Sequence, residues 1–107
     1  MSMNQHTLNL TQINQAFRQR AALKGWEAYH TPKNLAAAVA VEAAELLEIF
    51  QWLTDEQAQQ IKDSVEDKQR VADEVADIVM YLTELCRRLD IDMSVAVDEK
   101  IDKNAAR

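Results

Sequence analysis

The sequence predicts an all-α protein, an antiparallel four-helix bundle formed by one domain over 1–107. Three observations predict it. The chain has one glycine and one proline in 107 residues, and it is rich in Ala, Leu, Gln, Glu and Asp, a composition that favours helices over sheets. Val71, Val75, Ile78, Leu82, Leu85 and Leu89 recur at i, i+4 and i+7, the spacing of one helix face. Capping signals divide the chain into helices joined by short turns, which pack antiparallel.

Thr11 is the expected cap of a first helix running to about Lys24, with Ile13, Phe17 and Leu23 facing inward. Gly25 stands where a helix C-cap is needed. Trp26 to His30 form an aromatic connector. Thr31-Pro32 reads as N-cap and first helical residue of a second helix, expected to reach about Trp52. Thr54 with Gln57 three residues on is a capping box, opening a short helix from Asp55 to about Ile61. Ser64 to Asp67 reads as a loose turn before a long helix from Asp67 to Asp90. Ser94 is the expected cap of a last helix ending near Ala105, with Val95, Val97 and Ile101 apolar. Apolar surface beyond one seam, at Val79, Met80 and the alanines of the second helix, predicts a homo-oligomer.

The formal net charge of −6 argues against a general nucleic-acid surface. The lone Cys86 excludes an internal disulfide and reads as a buried packing thiol. The N-terminus is polar, without the apolar core of a secretory signal, and 35–50 is too short and too acidic to span a bilayer. A cytoplasmic protein, with no membrane and no nucleic-acid partner, is the expectation.

Chemistry enters with two acidic pairs. Glu42 and Glu45, and Glu74 and Asp77, each lie at i, i+3 and so share a helix face. The first pair sits in LAAAVAVEAAELLEIF, residues 35–50, apolar except for three glutamates. Such a helix is normally buried, and buried carboxylates are rare unless paired or holding a metal. Four of them facing each other suit a hard cation such as magnesium. Glu48 rotates away from Glu42 and reads as a rim residue. Di-iron carboxylate bundles place a histidine three residues after a glutamate, but His6 and His30 lie outside the long helices, so the pattern favours a redox-silent ion. No P-loop is present. Trp26, Tyr29, His30, Trp52 and Tyr81 are flat side chains available to stack on a base.

The residues resemble the MazG-type all-α nucleoside triphosphate pyrophosphohydrolases, and most closely their single-domain dCTP pyrophosphatase branch. The signature is Glu42-Ala-Ala-Glu45 followed by Glu74-Val-Ala-Asp77. Trp26 to His30, Pro32 to Leu35, Phe50-Gln-Trp52, Asp77 to Tyr81 and Lys100 to Asn104 resemble its flanking segments. The resemblance implies a MazG-like bundle that cleaves a (deoxy)nucleoside triphosphate, dCTP or a modified one, to the monophosphate and pyrophosphate. It implies Mg²⁺, with Mn²⁺ as a substitute, held by Glu42, Glu45, Glu74 and Asp77. Glu45 would also orient or deprotonate the attacking water. Trp26, Trp52 and Tyr81 would surround the base, with His30 near the pocket mouth and Phe17 beside it. Lys100 and Asn104 would touch the phosphates, from a neighbouring subunit of a dimer or dimer of dimers. Ala105 and Ala106 depart from the basic residues that relatives carry there. Related hydrolysis of dUTP or phosphoribosyl-ATP, or a non-catalytic helical interaction module, are the competing readings.

Overall fold

The computed structural model describes residues 7–107; His6 lies outside them. All regular structure among the described residues is helical. Helix α1 is Leu10–Lys24, α2 is Pro32–Phe50, α3 is Asp55–Gln59, α4 is Val65–Arg88 and α5 is Met93–Ala105. A 3₁₀ turn, Glu27–Tyr29, precedes α2, and a second, Gln60–Asp63, follows α3.

Several ends fall where local chemistry dictates. Gly25 adopts φ 70°, and the Trp26 N–H reaches back to the Ala21 carbonyl at 2.9 Å, a Schellman stop that a side chain would strain. The Thr31 hydroxyl accepts from the Asn34 N–H at 3.2 Å, with Pro32 at the first helical position. Thr54 and Gln57 exchange both capping-box bonds, at 3.0 and 3.2 Å.

Other ends differ from expectation. Asn9 rather than Thr11 caps α1, accepting from the Gln12 N–H at 3.0 Å, and Asp92 rather than Ser94 caps α5, accepting from the Val95 N–H at 3.1 Å. Asn and Asp cap as well as Ser and Thr, so the upstream residue claims each start. Ser64 is no loose turn: it caps α4, which begins at once with Glu66 and Asp67 facing its positive end. Helix α4 stops at Arg88, because Asp90 turns left-handed (φ 55°) and the Ile91 N–H bonds back to Cys86 at 2.8 Å. Helix α2 ends at Phe50, leaving Trp52 in the following turn and 86% exposed.

Helix α2 lies along α4 in the most extensive pairing, and α1 packs on α4 beside it. The fully buried apolar side chains among the described residues are Ala21, Leu35 and Ile61. Of the expected α4 stripe, Val71, Ile78, Leu82 and Leu85 are half-buried, whereas Val75 and Leu89 are exposed, as is Leu23. Cys86 is half-buried, and burial pushes its thiol pKa up. Helix α5 packs little against the rest, with Val95, Val97 and Ile101 exposed. No helix is long and apolar enough to cross a membrane among the described residues.

The deepest polar group is Glu84, 1% exposed on α4. Its Oε1 accepts from Asn14 Nδ2 at 3.0 Å and Arg87 Nε at 2.8 Å. Its Oε2 accepts from Arg87 Nη2 at 2.8 Å and Arg88 Nε at 2.9 Å. Burial pushes this carboxyl up, but the hydrogen bonds from Arg87, Asn14 and Arg88 outweigh it and hold the pKa at about 2. Glu84→Gln is expected to destabilise the fold by about 2 kcal/mol in denaturant titrations at pH 7, the arginines' partial exposure softening the loss. Because the folded pKa lies below the ordinary 4.5, the wild-type advantage should be full above pH 4.5 and vanish as pH falls towards 2.

Candidate metal centre

The α2–α4 pairing sets the site. Glu42 and Glu45 project from one turn of α2, and Glu74 meets them from α4. One carboxylate oxygen of each lies within 4.8 Å of the others. Asp77, one turn further along α4, stands outside this group; its charge acts instead on Tyr81. Three of the four expected carboxylates therefore converge.

Their electrostatics are strained. Glu42 is pushed up to about 8 from 4.5, first by its hydrogen bond with Glu74, then by burial, then by Glu45. Glu42 Oε2 and Glu74 Oε2 are buried without any hydrogen-bond partner. An unpartnered buried acceptor is costly. An all-oxygen set with unused lone pairs fits a hard divalent ion, so Glu42, Glu45 and Glu74 are the residues that could hold one.

A cleft of about 250 Å³ opens beside the group, lined by Glu45, Glu48, Ile49, Arg70, Asp73 and Glu74. Glu48 lines this cleft together with Glu45 and Glu74. Arg70 is the basic residue that sequence reasoning passed over, although it stands four residues before Glu74 and so shares its face. Its contact to Asp67, at 3.7 Å, is a loose surface pair.

Further along α4, Tyr81 joins an aromatic cluster. Phe17 of α1 stacks on His30 with ring centroids 5.1 Å apart, and Tyr81 meets both rings edge-on, at 5.5 and 6.4 Å. Burial, then the charges of Glu42, Asp77 and Glu45, raise the Tyr81 pKa, so its hydroxyl keeps its proton. His30 Nδ1 is buried and unpartnered. Trp26 and Trp52 lie outside this cluster and are exposed, and Lys100 and Asn104 are exposed on α5 and are not among the residues lining the acidic cleft.

The profile of the MazG-like family matches residues 37–107, which include both acidic pairs. The chain belongs to the MazG-like family. Among MazG-like relatives, it is 35% identical to human dCTP pyrophosphatase 1 over 98 residues and 36% identical to the bovine protein over 98 residues. Each alignment covers 92% of this chain but 58% of the relative, so the chain spans less than two thirds of their length. The crystal structure of a pyrophosphatase from Archaeoglobus fulgidus DSM 4304 superposes with a TM-score of 0.79 at 39% identity, over 92% of this chain and 91% of that one.

In this MazG-like site the folded state retains a proton on Glu42 that the unfolded chain releases above pH 4.5. In chelator, stability should therefore fall as pH rises from 4.5 to about 8. A divalent cation that binds only the folded chain at this trio would raise the melting temperature by mass action, and it would have to displace that proton. Thermal melts are expected to show a larger Mg²⁺-induced gain at about pH 8.5 than at about pH 6; no gain at either pH would remove the metal assignment.

Proposed function

We propose that this chain is a Mg²⁺-dependent nucleoside triphosphate pyrophosphohydrolase, cleaving dCTP or a modified deoxynucleoside triphosphate to the monophosphate and pyrophosphate. The observation that carries the reading is the carboxylate trio with two unpartnered buried oxygens, set beside a protonated tyrosine in an aromatic cluster. Kinship with the dCTP pyrophosphatases supports the substrate class.

Glu42, Glu45 and Glu74 would hold the ion, with Asp77 completing the set from the next turn. Bound Mg²⁺ supplies the positive charge that lets a triphosphate approach a protein of net charge −6. Glu45 is the most exposed of the trio, so a water can reach it; there it orients that water and accepts its proton. The water's oxygen bonds to phosphorus as the link between the α and β phosphates breaks, and pyrophosphate leaves. Tyr81 and His30 border the base, and Trp26 and Trp52, both exposed, close over it as stacking faces. Release of pyrophosphate from a panel including dCTP, dUTP and modified triphosphates should depend on Mg²⁺ and stop in chelator. Glu45→Gln should cut turnover by about 10²–10⁴-fold with the fold intact. Release from none of the panel would refute the activity.

We further propose that the four-helix bundle is completed by a second copy, in a dimer or dimer of dimers. The thin core and the exposed Val41, Leu47, Val95, Val97 and Ile101 support this. Lys100 and Asn104, exposed on α5 and not lining their own acidic cleft, would then reach a neighbour's phosphates. Sedimentation velocity at micromolar concentration is expected to find no monomer; a monomer would take Lys100 and Asn104 out of the site.

A further inference from the structure

Glu84 lies ten residues beyond Glu74, on the continuation of the stripe that carries Asp77 and Tyr81. One arginine would neutralise it, yet it holds two, and the two are used differently. Arg87 gives both Nε and Nη2 to Glu84. Arg88 gives only Nε to Glu84; its Nη2 donates to the Glu27 carbonyl at 3.3 Å, 61 positions away in sequence. That carbonyl also accepts from the His30 N–H at 3.2 Å. Arg88 therefore grips the atom on which the 3₁₀ turn closes, just where the His30 ring leaves to stack on Phe17 and meet Tyr81.

The turn Glu27–Tyr29 buries none of its residues. Hydrophobic packing cannot fix its geometry, so directed ties must: Asn34 Nδ2 of α2 donates to the Tyr29 carbonyl at 2.9 Å, and Arg88 is the tie that joins the turn to α4. Arg88 and His30 also share the lining of a cleft of about 510 Å³ between α1, the turn and the end of α4. A planar guanidinium aimed by a buried carboxylate suits a tie that must meet two acceptors at once, which a lysine ammonium on a flexible stem does not reproduce.

We infer that Arg88, aimed by Glu84, is a positioning residue for nucleotide recognition: it fixes the turn bearing Trp26 and His30 against the α4 stripe bearing Tyr81 and the carboxylates. This rests on the nucleotide reading of the site. Arg87 hydrogen-bonds Glu84 but gives no hydrogen bond to the turn; it lines the same cleft, and its charge acts on Glu27 without tying the turn's backbone.

The test compares Arg88→Ala, Arg88→Lys and Arg87→Ala in the full chain, by amide hydrogen exchange across 26–30 and by steady-state kinetics with the triphosphate that the wild type cleaves fastest. Arg88→Ala and Arg88→Lys should both speed exchange at the His30 amide and raise KM about tenfold while kcat stays within about threefold. Arg87→Ala should lower the melting temperature yet leave His30 exchange and KM near wild type. If Arg88→Ala fails to fold, Arg88→Lys, which keeps the charge, decides alone. Unchanged His30 exchange in the folded Arg88 variants overturns the inference, as does faster exchange with unchanged KM, or an equal KM rise in Arg87→Ala. A wild type that hydrolyses no triphosphate overturns the nucleotide reading and the recognition role with it, while the exchange comparison separately decides whether Arg88 holds the turn.

Discussion

The face that α2 presents to α4 has two incompatible duties. It is the main packing surface of the chain, and its Glu42 and Glu45 meet Glu74 of α4, putting three carboxylates within 4.8 Å of one another. Like charges this close repel, and burial strengthens the repulsion. The protein alone relieves it by keeping a proton on Glu42, and even then leaves two buried oxygens without partners. Packing that would best suit the core would have placed leucines there. The site is thus a local defect in the fold, the kind of stored unfavourable energy that a cation or a proton discharges.

Helix α4 shows the opposite solution ten residues beyond Glu74. Glu74 and Glu84 are the same residue type on one face of α4. At Glu84 four hydrogen bonds from Asn14, Arg87 and Arg88 fill both oxygens, and the carboxyl is held near a pKa of 2. Among the described residues no basic side chain pairs with Glu74, and the neighbouring Glu42 rises to about 8. Helix α4 thus has one end whose charges are settled within the fold and another whose charges await something from outside.

What was legible in the sequence was local. Gly25, Thr31-Pro32 and the Thr54–Gln57 box act within a few residues, and each does what its chemistry implies. Asn9 and Asp92 were passed over because two good capping residues stood two positions apart, and nothing local separates them. The acidic pairs were legible because i, i+3 spacing alone sets their face; that Glu74 rather than Asp77 meets the α2 pair depends on how two helices pack. Glu84 was invisible for a stronger reason. Its arginine partners stand at i+3 and i+4, a pattern equally typical of a solvated helix face, and what sets it apart is the contact with Asn14, 70 positions away. Leu89 is exposed because it stands past the last residue of α4, where the stripe outruns the helix.

The stripe on α4 also works as a ruler. Glu74, Tyr81 and Glu84 are carried on one unbroken helix, and the seven residues from Glu74 to Tyr81 correspond to about 10 Å of rise. A helix of that kind neither stretches nor folds, so the gap between the acidic end and the aromatic end is fixed by covalent geometry. A molecule that engages both must carry its anionic group and its flat ring at that separation. Length is therefore screened before the identity of the ring, and two molecules with the same ring but different spacers are told apart by a distance that no side chain needs to read.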